Sequence, residues 1–329
     1  MLARSAQGLY WMSRYLERAQ HLCRLLRLQT EALVDRPVRE IRFGWHRIYQ
    51  GIGRQPPEGS LEAFDSEDYT LADSYTLADD LTFERLHADS VWSCLALGRE
   101  NARQMRQCIS AEVWMCLNRT YLRVRDLEIQ NIWRTSPESF YARTAEEIDT
   151  LSGVAAATMY RDTGWSFMQL ARAVERAQLS ASLLLAQLAT ERISGEPDDA
   201  DWTSLLRCCH ALETYNRLGS VSVEPARVMD LLVTDPLLPA SLRRALDDTA
   251  TALIAIGRGP PVRPGGDAHH TAGRLTALVH DEWPRREDRE ELLRDVLAHC
   301  RTLHQLVNAT YFEYPVEELT AGGSTEVLS

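Results

Sequence analysis

Seven residues near the start of the chain come back in its middle. Arg14-Tyr15-Leu16-Glu17-Arg18-Ala19-Gln20 returns as Arg172-Ala173-Val174-Glu175-Arg176-Ala177-Gln178, 158 positions on, with five of seven residues identical and the other two apolar or aromatic. A looser echo follows, 151 positions apart: Leu81-Thr82-Phe83-Glu84 leading to Ser90-Val91, and Leu232-Val233-Thr234-Asp235 leading to Ser241-Leu242. Both copies keep an acid six residues before a serine. A tandem hexamer, Tyr69 to Ser74 and then Tyr75 to Asp79, accounts for six of the seven residues by which the offsets differ. Internal repetition constrains architecture more than composition does. It predicts two related halves, about 1–160 and 161–329, packed as one unit around a pseudo-two-fold axis, so that the two Arg-x-x-Glu-Arg motifs face each other.

The halves are expected to be all-α helical bundles with no significant sheet. Apolar residues recur at Leu9, Met12, Leu16, Ala19, Cys23 and Leu26, the rhythm of one helix face. The same rhythm runs through 91–109, 112–133, 145–160, 167–193, 202–218 and 291–312. Period-2 alternation is scarce, and 220–223 is too short for a strand. Breakers fall at Gly51-Ile52-Gly53 to Pro57, Ser136-Pro137, Gly164, Gly195 to Pro197, Asp235-Pro236 and Gly257 to Gly266. Residues 257–270 are expected to form a surface loop, and 319–329 a frayed tail.

Charge narrows the chemistry. The 329 residues carry a formal net charge of −11, and all 36 basic residues are Arg. The balance gives no footprint for nucleic acid. A chain without lysine performs no Schiff-base chemistry and has no Walker lysine. Anions would be held by guanidinium forks. The seven cysteines are scattered, without a C-x-x-C, which argues against a disulfide framework and a zinc site. No signal-peptide core forms at the N-terminus, and runs such as Ala252 to Ile256 are far too short to span a bilayer. These features predict a cytoplasmic protein with no membrane segment.

The candidate site residues lie in three clusters. Arg14, Glu17 and Arg18 share one helix surface, and Arg172, Glu175 and Arg176 copy them. The third cluster is Arg99-Glu100-Asn101-Ala102-Arg103. Isolated pairs of this kind are ordinarily solvated and contribute ~0.3–0.5 kcal/mol each. Repetition of one motif in both halves instead suggests inward-facing ions, and leaves two readings. One is a structural ion network. The other is a site in which Arg14, Arg18, Arg99, Asn101, Arg103, Arg172 and Arg176 bind an anion, while Glu17, Glu175 or Glu100 orients them or acts as a general base if burial raises its pKa. Weaker signals point elsewhere. Glu84-Arg85-Leu86-His87 supplies half of a di-iron motif whose other half is missing, and no metal site is expected. Gly51-Ile52-Gly53-Arg54 lacks the third glycine of a dinucleotide fingerprint.

The opening Leu9-Tyr10-Trp11-Met12-Ser13-Arg14-Tyr15-Leu16-Glu17-Arg18-Ala19 resembles the start of the bacterial alpha-E family, all-helical proteins of unknown function. Supporting pieces recur in order: Arg99 to Arg103, Trp114 and Asn118, Gly164-Trp165, Val174 to Ala177, Tyr215 and Arg217, then Asp235-Pro236 and Pro239-Ala240-Ser241. The chain departs from the family pattern at two places. It has His87-Ala88-Asp89-Ser90 where relatives usually read Asn-Pro-x-Ser, and Ala240 where they read Arg. The resemblance implies two partners, a circularly permuted ATP-grasp protein and a transglutaminase-like cysteine peptidase, acting on a peptide or amino-acid substrate. ATP and Mg would then belong to the ATP-grasp partner, with no cofactor bound to this chain. The implied role is help in amide-bond formation during peptide synthesis or modification, or non-catalytic docking of the other two proteins.

Overall fold

A computed structural model describes residues 3–57, 67–194, 198–219, 222–257 and 266–313, with side chains from residue 72 onward in the second stretch and up to 193 at its end. Among these residues there is no strand. The helices are α1 (Ala3–Asp35), α2 (Val38–Ile52), α3 (Glu67–Phe83), α4 (Val91–Gln104), α5 (Ala111–Val124), α6 (Ile129–Trp133) and α7 (Pro137–Thr158). They continue as α8 (Thr163–Ser194), α9 (Asp199–Cys208), α10 (Leu212–Arg217), α11 (Pro225–Thr234), α12 (Leu242–Gly257), α13 (Gly266–Ala277) and α14 (Arg289–Val307).

The two long helices, α1 and α8, carry the repeated motif and pack against each other. Around them the packing is matched. α4 lies on α1 as α12 lies on α8; α7 also flanks α1, and α14 flanks α8. α5 backs α7, and α13 backs α14 and α12. Two crossings tie the sides together. α2 packs on α8, and a π-helical turn, Asn308–Phe312, returns the chain end to α1. One continuous apolar core results, with Tyr10, Trp45, Trp202 and Trp283 fully buried in it.

The acid-then-serine spacing has a local cause. Ser90 Oγ accepts the Ser93 amide at 3.1 Å and caps α4, and Ser241 Oγ accepts the Arg244 amide at 3.1 Å at the start of α12. Upstream, the acids close the preceding turns: Glu84 accepts the Leu86 amide at 2.8 Å, and Asp235 accepts those of Leu237 and Leu238 at 2.8 and 2.9 Å. Side-chain oxygens thus satisfy amides that the helix starts leave open.

Several boundaries differ from the sequence expectation. Ser136-Pro137 marks the break between α6 and α7, but α7 starts at Pro137, earlier than the 145 expected: Ser136 caps it, and Pro137 sits in the first turn, where its missing N–H costs nothing. Gly164 lies inside the first turn of α8, behind Asp162, whose side chain accepts the Gly164 and Trp165 amides. The runs 112–133 and 202–218 each split into two helices, the second at His210, whose φ is 50°. Gly53, at φ 67°, ends α2 as a left-handed cap. Residues 266–270 belong to α13, so the expected 257–270 loop ends earlier; 258–265, 220–221 and the 319–329 tail lie outside the described residues.

Candidate functional site

Where α1 and α8 cross, the repeated motifs exchange partners. Glu175 accepts hydrogen bonds from Arg14 Nε and, at 2.9 Å, from Arg18 Nε. Glu17 accepts from Arg176 Nε at 2.7 Å and Arg172 Nε at 3.4 Å. Each carboxylate therefore sits between the two arginines of the opposite motif. Glu17 and Glu175 are buried, as is Arg14, and about a quarter of each Arg172 and Arg176 side chain is exposed.

Beyond this exchange the two sides diverge. Arg14 also donates to Gln178 Oε1 and, at 3.3 Å, to Tyr10 Oη, and lies 5.7 and 5.5 Å from the Tyr10 and Trp11 ring centres. Tyr10 in turn hydrogen-bonds His304 Nδ1 at 3.1 Å and stacks on its ring. Arg18 reaches Asp89 in the loop before α4. Arg172 and Arg176 bond Glu17 and nothing else among the described residues.

Burial alone would push both carboxyls up, but the guanidinium pairs outweigh it and hold Glu17 and Glu175 below the usual carboxylate range. The condition set for a general base, a raised pKa, is therefore not met. Both remain ionised and fully occupied. His21, one turn beyond Glu17, is pushed down to about 4 by burial and by Arg24, and is neutral at neutral pH.

The third cluster is not brought to this crossing. Glu100 is half-exposed and paired within α4, to Arg103 at 2.6 Å and Gln104 at 3.0 Å, and these hydrogen bonds lower its pKa to about 2. Arg99 donates to Asn118 at 2.8 Å and lies over the Trp114 and Tyr121 rings, while Asn101 bonds the Leu97 carbonyl. All these partners belong to α4 and α5. Glu100, Arg99, Asn101 and Arg103 therefore form a surface layer apart from the site.

Cavities flank the crossing. A groove of about 510 Å3 opens on the Arg18 side, with Glu175, Asp89 and Gln178 on its floor and Arg192, Arg294 and Arg301 around it. Arg192 and Arg294 share Glu290, whereas Arg301 has no ion pair among the described residues. A smaller cavity of about 270 Å3 lies on the Arg176 side, against Glu17, Arg24, Asp149 and Ala240. His21 lines both. Sequence reasoning passed over Tyr10, Asp89 and His304, which lie outside the repeated heptad, and over the α14 arginines. Gln178 lay within the repeat but was assigned no role.

Among the described residues no group of three His, Cys, Asp or Glu side chains could hold a metal ion, and no helix is long and apolar enough to cross a membrane. All seven cysteines are free thiols.

Fold and site define an all-helical domain closed by two interlocked Glu-Arg motifs. The chain belongs to the Alpha-E family, described as an alpha-helical domain with a conserved ER motif, which matches residues 1–312. A Glu-Arg dipeptide occurs here at Glu17-Arg18, Glu84-Arg85, Glu175-Arg176 and Glu191-Arg192, and the first and third make the exchange at the α1–α8 crossing. An uncharacterized protein of Mycobacterium bovis is 27% identical over 335 residues, and one of Mycobacterium tuberculosis is 26% identical over the same length. Both alignments cover 95% of this chain but 37% of the relative, so the chain spans little more than a third of the length of these relatives. No solved structure matches it.

Proposed function

We propose that this chain is the helical, substrate-binding partner of an ATP-grasp amide or peptide ligase. It holds an anionic acceptor or acyl intermediate in the 510 Å3 groove, next to the ATP-binding subunit that supplies ATP and Mg. The observation that carries this reading is the wall of that groove, where Arg301, Arg294 and Arg192 stand over the buried network. Guanidinium groups on two helices suit a carboxylate or acyl phosphate. The chain's role is then positioning, since Glu17 and Glu175 are held by their arginines. The length of the mycobacterial relatives supports a domain that works beside others. The reaction would run in the cytoplasm, where ATP is supplied, and a transglutaminase-like peptidase would trim the product.

A second reading is favoured by the saturation of the network: a scaffold that docks ligase and peptidase, with its ions purely structural. Co-expression with a circularly permuted ATP-grasp protein separates the two. Co-purification with stimulated, amino-acid-dependent ADP release supports the binding role. A complex with unchanged turnover supports the scaffold, and no complex removes both.

A further inference from the structure

The network ends differently on its two faces. On one, Arg18 pairs with Asp89, the residue before the serine that caps α4. The matching position on the other face, the residue before the serine that caps α12, is Ala240. Ala240 and Arg176 line one cavity as Asp89 and Arg18 line the other, and α12 packs on α8 as α4 packs on α1. A methyl group replaces a carboxylate, and the 270 Å3 cavity opens there.

We infer that this cavity binds the carboxylate of a small molecule, which takes at Arg176 the place that Asp89 fills at Arg18. The charges facing it leave room for an anion. Arg172 and Arg176 share one carboxylate, Glu17. Arg24 stands 3.5 Å from Asp149, which also accepts a hydrogen bond from Gln20. Asp248, on α12, is matched by Arg244 at 3.1 Å. Arg176, a quarter exposed, has only the Glu17 it shares with Arg172 among the described residues, and a charge-assisted pair with a second carboxylate is stronger than a neutral hydrogen bond. The remaining lining adds no negative charge: burial pushes the Cys209 thiol up to about 12 and raises Cys208 as well, so both stay protonated.

Size narrows the ligand class. The volume lies below the ~300–1,000 Å3 typical of drug-sized ligands, which points to a molecule of amino-acid size. Nothing in this inference depends on a ligase partner.

The test is a titration of the full chain with N-acetylglycine, following arginine Nε–H signals by NMR, with the uncharged amide of the same compound as control. Saturable shifts at Arg176 and Arg24, absent with the control, are expected. Ala240→Asp supplies at Arg176 the carboxylate that Asp89 supplies at Arg18 and should weaken binding by about tenfold or more. Ala240 is partly buried against the core, so a thermal melt of Ala240→Asp accompanies the titration, and Asp89→Ala tests the same idea without adding a charge. Asp89→Ala should open a second saturable site at Arg18. Unmoved Arg176 and Arg24 signals in the parent chain, undiminished binding by Ala240→Asp, or no new site in Asp89→Ala would each overturn the inference.

Discussion

Arg14 and Glu175, 161 residues apart in the chain, meet at the α1–α8 crossing with under a twentieth of either side chain exposed. Charges removed from water to that degree are stable together and costly apart. The pair therefore acts as a lock on the crossing more than as a reactive group.

Removing Glu175 leaves the buried Arg14 without its counter-charge while Arg18 keeps Asp89, and removing Glu17 leaves Arg172 and Arg176 without an ion pair among the described residues. Glu175→Gln should cost about 3–5 kcal/mol, since breaking a buried pair leaves uncompensated charge. Glu17→Gln should cost less, because Arg172 and Arg176 retain partial access to water. Glu100→Gln, on the half-exposed face of α4, should leave the denaturant midpoint unchanged. Urea unfolding of the three variants checks the order.

Acid should loosen the same region. His304 and His21 are held neutral, each pushed down to about 4 by burial and by neighbouring arginines. Their folded values lie below the ordinary histidine value, so the stability they contribute is present above about 6.5 and lost as pH falls toward 4. The lowered Glu17 and Glu175 add a loss below the usual carboxylate value. Urea midpoints measured from pH 7 to pH 4 should fall, and His304→Gln should flatten the upper part of that slope.

Asp201 should act in the opposite sense. It is buried near Arg47 and 3.7 Å from Arg39, its Oδ2 has no hydrogen-bond partner among the described residues, and burial outweighs both arginines and raises its pKa to about 6. A raised carboxyl contributes stability below its unfolded value that is lost as pH rises through about 6. Asp201→Asn should therefore be at least as stable as the parent chain at pH 8, with the difference closing below about pH 4. Thermal melts at the two pH values decide it.

The helical class was legible because apolar spacing over long runs reports one buried face, and α1 and α8 are such runs. The repeat suggested that the motifs face each other but did not decide it, because a repeated heptad fits separate surface ion pairs as well; the exchange of partners between Glu17 and Glu175 is seen only in the structure. Glu100 was not separable from Glu17 by composition. The face that α4 buries, Val91, Cys94, Leu95, Gly98 and Ala102, leaves Glu100 and Arg103 off it, and that periodicity would have set them apart. Asp89 and the break at His210 were illegible for another reason. A loop carboxylate and a left-handed histidine carry no periodic signal: Asp89 is fixed by Arg18 from another helix, and His210 by the backbone hydrogen bonds that close the end of α9, from Ala211 N–H to the Leu206 carbonyl and from His210 N–H to that of Arg207.

The groove is the central claim, and Arg301 tests it most directly. In the co-purified complex with the ATP-grasp partner, amino-acid-dependent ADP release is measured for the parent chain and for Arg301→Glu. Arg301 is exposed and has no ion pair among the described residues, so the reversal spares the fold. Stimulation that falls about tenfold or more while the complex persists is the predicted result. An intact complex that stimulates as strongly as the parent would contradict substrate binding in the groove and leave the scaffold reading in its place.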